Sequence, residues 1–195
     1  MRRVFPIVAA VAGAALLAAC ESMPAAELGG PGPPPPPPPP PTPAEEFAWS
    51  AGRGPNTLIV MMNYQAAPGE TWSCAGFDQA LMPETSYSRG RISALYGSAD
   101  RAVRSVAEVR ARSAANAGPD FAQFVRQATC DGQNSFTFRD LPNGAYFVIA
   151  RMRPVRPAGG GEVAIMQRVE LRGGETVRVV LPQAGGRAGA SRRPR

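Results

Sequence analysis

The chain of 195 residues contains no histidine and no lysine. Without histidine it lacks the commonest general base and the commonest zinc ligand. Without lysine it can form no Schiff base and no phosphate-binding P-loop. Aromatic residues make up only 7%, and cysteines number three. No apolar run is long enough to read with confidence as a membrane-spanning helix. No GxSxG, GxGxxG or CxxC pattern occurs. These absences predict a protein that is not an enzyme, with no catalytic residues, no cofactor and no metal site.

What is present is arginine, proline and glycine. The net charge is +6, with 22 prolines and 21 glycines. The positive charge is unevenly spread. Residues 44–184 hold 15 arginines against 13 acids, while Arg187, Arg192, Arg193 and Arg195 stand in a tail, 185–195, without an acid. A nucleic-acid-binding domain carries a basic stripe on its own surface. A near-neutral domain argues against a nucleic-acid partner.

The N-terminus reads as an address. Arg2 and Arg3 precede a short apolar stretch, Val4 to Leu17, which ends in Leu17-Ala18-Ala19-Cys20. This resembles the lipobox of bacterial lipoproteins. The resemblance implies a signal peptide over 1–19, cleavage before Cys20, and acylation of the Cys20 thiol, with palmitate among the expected chains. More than one acyl chain gives a stable membrane anchor. The residue after the cysteine is Glu21, not Asp, which in such lipoproteins points to the outer membrane rather than the inner one. The partner implied is the membrane itself, in the bacterial cell envelope.

Residues 20–43 then read as a linker. Pro33 to Pro41 are nine consecutive prolines, followed by Thr42 and Pro43. Such a run favours an extended polyproline helix. At about 3.1 Å per residue, 31–43 would span roughly 40 Å. The run is a standoff for the domain or, alternatively, a ligand for an aromatic groove.

The domain, 44–184, alternates like strands. Thr57 to Tyr64 is an apolar, β-branched run, and Trp72 to Met82 and Ser88 to Tyr96 are further candidates. Phe136 and Phe138 share one face. Ala145 to Ala150, Glu162 to Leu171 and Glu175 to Leu181 complete about seven strands, an antiparallel β-sandwich. A helical insertion is expected around 98–129: one helix capped by Ser98, with Val103, Val106 and Val109 on a face, and a second opened by Pro119, with Phe121, Phe124, Val125 and Ala128 at helical spacing. These would cover one face of a sheet.

Phe136-Thr137-Phe138, Leu141-Pro142-Asn143-Gly144-Ala145-Tyr146 and Gly173-Gly174-Glu175-Thr176-Val177-Arg178-Val179 resemble the carboxypeptidase regulatory-like domain. Cys74-Ala75-Gly76 leading to Leu81 through Tyr87 resembles an early strand of it. The resemblance covers most of 55–182 and implies a prealbumin-like, transthyretin-like β-sandwich with an accessory role. Hydroxyisourate hydrolases of related fold depend on histidine, and adhesin-type isopeptide bonds need lysine. Both are excluded by composition.

With Cys20 lipidated, Cys74 and Cys130 remain in an oxidising compartment, and a disulfide between them is expected. Two buried free thiols are the other reading. Among the acids, Glu45-Glu46 and Glu84 could be imagined as paired carboxylates, while Asp131 and Asp140 fall at turns. Trp49, Trp72, Tyr64, Tyr87 and Tyr96 could line a sugar or peptide surface, or simply pack. The leading expectation is an anchored, non-catalytic binding or structural module. The alternative is a glycan- or peptidoglycan-binding accessory subunit of an envelope assembly. A carboxylate-dependent hydrolase is a remote third.

Overall fold

The computed structural model describes residues 42–116, 118, 121–156 and 161–182. The expected signal peptide, Cys20, the proline run and the arginine tail lie outside the described residues. So do residues 157–160 of the loop after Pro154.

Among the described residues nine strands form two sheets facing each other across one core. β1 (Asn56–Met62) pairs antiparallel with β6 (Ser135–Leu141) and parallel with β9 (Thr176–Leu181), giving the order β6-β1-β9. The second sheet runs β4 (Arg101–Ser105), β8 (Val163–Leu171), β7 (Gly144–Pro154), β3 (Asp78–Pro83) and β5 (Arg126–Thr129), with every pair antiparallel. The short β2 (Trp72–Ser73) pairs with the end of β7. The protein is mainly β, as its alternation implies. Leu58, Val60, Phe136, Phe138, Val179 and Leu181 of the small sheet meet Leu81, Val148, Ala150, Met152, Ile165 and Leu171 of the large one. Phe136 with Phe138, and Val177, Val179 and Leu181, point inward as their period of two requires.

The outer face of the large sheet carries a second core. Phe147, Ala164 and Met166 project outward from β7 and β8. They are covered by Ile92, Leu95 and Tyr96 of α2 (Ser86–Tyr96) and by Val106 of α3 (Val106–Ala115). The small sheet's outer face leaves Met61 and Val180 exposed.

The segment 86–129 departs from expectation in three places. Ser88 to Tyr96 is a helix, not a strand. Thr85 and Ser88 form a reciprocal capping box, and Gly97 ends the helix in the left-handed region at φ 76°. The helix expected from Ser98 begins at Val106. Ser98 instead accepts from the Asp100 and Arg101 N–H groups in a turn, and Ser105 caps α3 by accepting from Glu108 N. Residues 101–105 are claimed by pairing with β8. The second expected helix is only a 3-10 turn, Ala122–Phe124, because Arg126–Thr129 hydrogen-bonds to the edge of β3. Trp72 to Met82 is two strands separated by a turn.

That turn is pinned. Cys74 and Cys130 form a disulfide with Cα atoms 5.7 Å apart. Asn134 accepts from the Ser73 hydroxyl and Cys74 N, and donates to Trp72 O. At the other end of the sandwich Asn56, fully buried, donates to Leu141 O and accepts from Gly174 N, joining two turns.

Candidate aromatic cleft

The first described residues form a strap across the sandwich. α1 (Pro43–Phe47) is opened by a capping box: Thr42 accepts from Glu45 N, and Glu45 accepts from Thr42 N at 2.6 Å. The Thr42 N–H, and secondarily its hydroxyl, hold the Glu45 carboxyl below its usual pKa. A single turn of helix has little stability of its own. Its role is to deliver Phe47, which is 1% exposed, and Trp49.

Phe47 stacks on Phe124 at 5.0 Å between centroids with a 12° interplanar angle, and lies 5.1 Å from Phe121. Tyr87, in the first turn of α2, meets Phe121 edge-on at 4.8 Å. The Tyr87 N–H donates to the Glu46 carboxylate at 3.2 Å. Three segments distant in sequence thus supply four rings. Beside them opens a cleft of about 370 Å³ whose wall includes Met82, Val125, Arg91 and Gln127. Arg91 is fixed by donating to Asn116 O at 3.0 Å.

Clefts of this size, apolar with a few placed polar groups, are the usual form of small-ligand sites. Ring faces carry partial negative charge and attract the polarised C–H groups of a flat ligand, while an arginine and an amide at the rim can hydrogen-bond its hydroxyls.

The other aromatics considered from the sequence have different duties. Trp72 is buried against Tyr64, centroids 5.0 Å apart, and its indole N–H donates to Glu70. Tyr96 is buried beneath α3. Trp49, 37% exposed, packs edge-on against Tyr146. Only Tyr87 reaches the cleft. Phe47, Phe121 and Phe124 were not among the candidates. The spacing of Phe121 and Phe124 marked an apolar stripe but not where it would pack.

The carboxylates of Glu84, Glu46, Asp78 and Asp131 are occupied structurally. Glu84 accepts from Arg168 Nε at 2.6 Å and Arg89 Nε at 2.7 Å, bridging α2 to β8. Glu46 holds Tyr87. Asp78 accepts from the Thr129 hydroxyl. Asp131 accepts from the Gln133 and Ser135 N–H groups, fixing its turn. Asp140 sits at φ 56°, and its carbonyl accepts from Gly54 N and Arg126. Among the described residues no three His, Cys, Asp or Glu side chains are placed to hold a metal.

No family model matches the chain, and no curated protein matches it. Among solved structures it is similar to a Pseudomonas aeruginosa protein described as a "putative carbohydrate binding protein". The two are 20% identical with a TM-score of 0.45, over 73% of this chain and 97% of the other. At that level the likeness says nothing of what this chain binds.

Proposed function

We propose that this protein is a non-catalytic binding module of the bacterial envelope. It is exported, acylated at Cys20 and held in the outer membrane, with the sandwich on a stiff proline arm. Its aromatic cleft takes a sugar ring of an envelope glycan. The observation that supports this is the convergence of Phe47, Tyr87, Phe121 and Phe124 beside Arg91 and Gln127. Among the described residues no carboxylate lines that cleft.

The test is calorimetry of the full chain against soluble peptidoglycan fragments and neutral oligosaccharides. Saturable binding that Phe121→Ala and Arg91→Ala weaken by about tenfold, roughly 1.4 kcal/mol, is expected. Absence of binding to every glycan, or binding indifferent to both variants, would remove the cleft from this role. The anchor is tested separately. Cells fed labelled palmitate should label the wild-type chain and not Cys20→Ser.

A further inference from the structure

A second site stands at the opposite end of the sandwich, away from the strap. Arg151 and Arg153 alternate along β7, so both project from the outer face of the large sheet, roughly 7 Å apart along the strand. Neither lies under the helices. Their guanidinium carbons sit 4.8 and 4.9 Å from the centroid of one ring, Phe77. Two like charges on one ring repel each other, and a cation–π contact at an exposed site is weak.

The carboxylates nearby do not neutralise the pair. Glu162 Oε2 is 4.0 Å from Arg151 Nη1, at the limit of an ion pair. Asp78 is engaged with Thr129. Among the described residues Arg153 has no ion-pair partner, and neither guanidinium donates a hydrogen bond.

The ring is held firmly. Phe77 O accepts from Cys130 N at 3.0 Å and from Gln79 Nε2 at 3.1 Å. Gln79, fully buried, also accepts from Arg151 N at 2.7 Å. One amide therefore ties the ring's backbone to the strand that bears the arginines. The Cys74–Cys130 disulfide closes the same turn.

We propose that Arg151, Phe77 and Arg153 form a binding site for a phosphoryl group. A guanidinium lying over a ring keeps its N–H donors free at its edge. One such fork engages both oxygens of a carboxylate and leaves a second fork only their remaining lone pairs. Two forks call for an anion with at least three acceptor oxygens, which a phosphoryl group supplies. The anion relieves the repulsion within the pair, and the frame of Gln79 and the disulfide means that little ordering is needed on binding. The source is a phosphorylated headgroup or a free phosphate, and the two can be separated.

The experiment is an NMR titration of the isotopically labelled full chain with inorganic phosphate and, in parallel, with soluble short-chain phosphatidic acid, whose phosphomonoester keeps three free oxygens. Saturable shifts centred on residues 77, 151 and 153 are expected. Arg151→Gln and Arg153→Gln should each weaken binding about tenfold, and Phe77→Leu should weaken it less. Arg178→Gln, an arginine of the other sheet, should change nothing. Tighter binding of the lipid at the same residues assigns a headgroup, and equal binding assigns the phosphoryl group alone. Arg153→Lys keeps the charge but not the fork, and should fall between wild type and Gln. Shifts that never saturate, shifts centred elsewhere, or an equal loss in Arg178→Gln would overturn the proposal.

Discussion

At the scale of single residues, Gly144 is the least replaceable position of the Leu141-Pro142-Asn143-Gly144 turn. Its φ is 155°, where side chains are rarely tolerated, and a Cβ there would fall 2.4 Å from two carbons of the Trp49 ring. Gly144→Ala should therefore cost about 2 kcal/mol or more in chemical denaturation, by overpacking and backbone strain together. Part of that should return in the double variant with Trp49→Ala, because the two share one contact. Equal stability of Gly144→Ala and wild type would contradict this packing. Buried tyrosines make a second residue-scale prediction. Burial pushes Tyr96 and Tyr146 up to about 12, the latter opposed by the Arg126 charge. In the unfolded chain both titrate near 10. Below pH of about 10 both states keep the proton, and these groups give no pH dependence. Between about 10 and about 12 the unfolded chain releases protons that the folded chain retains, so stability falls as pH rises. Urea midpoints should drop across that window, and less steeply in Tyr96→Phe. A midpoint level from pH of about 9.5 to about 11.5 would refute the assignment.

At the scale of elements, the strap is held by more than its rings. Arg126 in β5 donates through Nη2 to Ser50 O and Gly52 O, at 3.3 and 2.8 Å, and through Nη1 to Arg139 O and Asp140 O. One side chain thus staples the strap to the end of β6. Arg126→Met keeps the stem but removes these four donations, although Asp140 O keeps its bond from Gly54 N. It should cost about 1.5–3 kcal/mol and make residues 42–54 the first site of limited proteolysis. Unchanged cleavage there would mean that Phe47 and Trp49 suffice. The strap also shows why the site was less legible than the fold. β1, β6 and β9 declare themselves locally, because alternation along each strand mirrors one buried face, and β7 and β8 do so as apolar runs with both faces covered. α2 hides behind small polar residues. Only Ile92, Leu95 and Tyr96 carry the helical period, and Ser88 takes the capping role usually given to Glu or Gln. Phe121, Phe124, Val125 and Ala128 do show a helical period, yet β3 claims the backbone of 126–129 and Phe47 claims the rings. Both claims come from residues over forty positions away, which no window along the chain contains. Tyr87 was a candidate on type alone, and Phe47 gave no signal until its partners were known.

At the scale of the whole molecule, the disulfide decides how the two cores depend on each other. Its cysteines are 56 positions apart, and the loop between them contains α2, β4, α3 and the Phe121–Phe124 turn. The helices that cover the second core, and most of the aromatic cleft, therefore lie within one covalent loop. Closing a loop of that length removes conformations from the unfolded chain worth on the order of 4 kcal/mol. The sandwich core itself draws mainly on strands outside the loop: β1, β6, β7, β8 and β9. Replacing both cysteines with alanine should thus lower stability by about 3–4 kcal/mol, less any gain from the freed side chains. It should also raise the urea m-value, because the unconstrained unfolded chain exposes more surface. The loss should not be uniform. Amide exchange in α2 and α3 should quicken more than in β7 and β8, since the helical layer loses its covalent closure while the sheets keep their ladders. A double variant with an unchanged m-value and evenly quickened exchange would place the disulfide's effect in the folded core instead. The second core would then be no more dependent on the loop than the first.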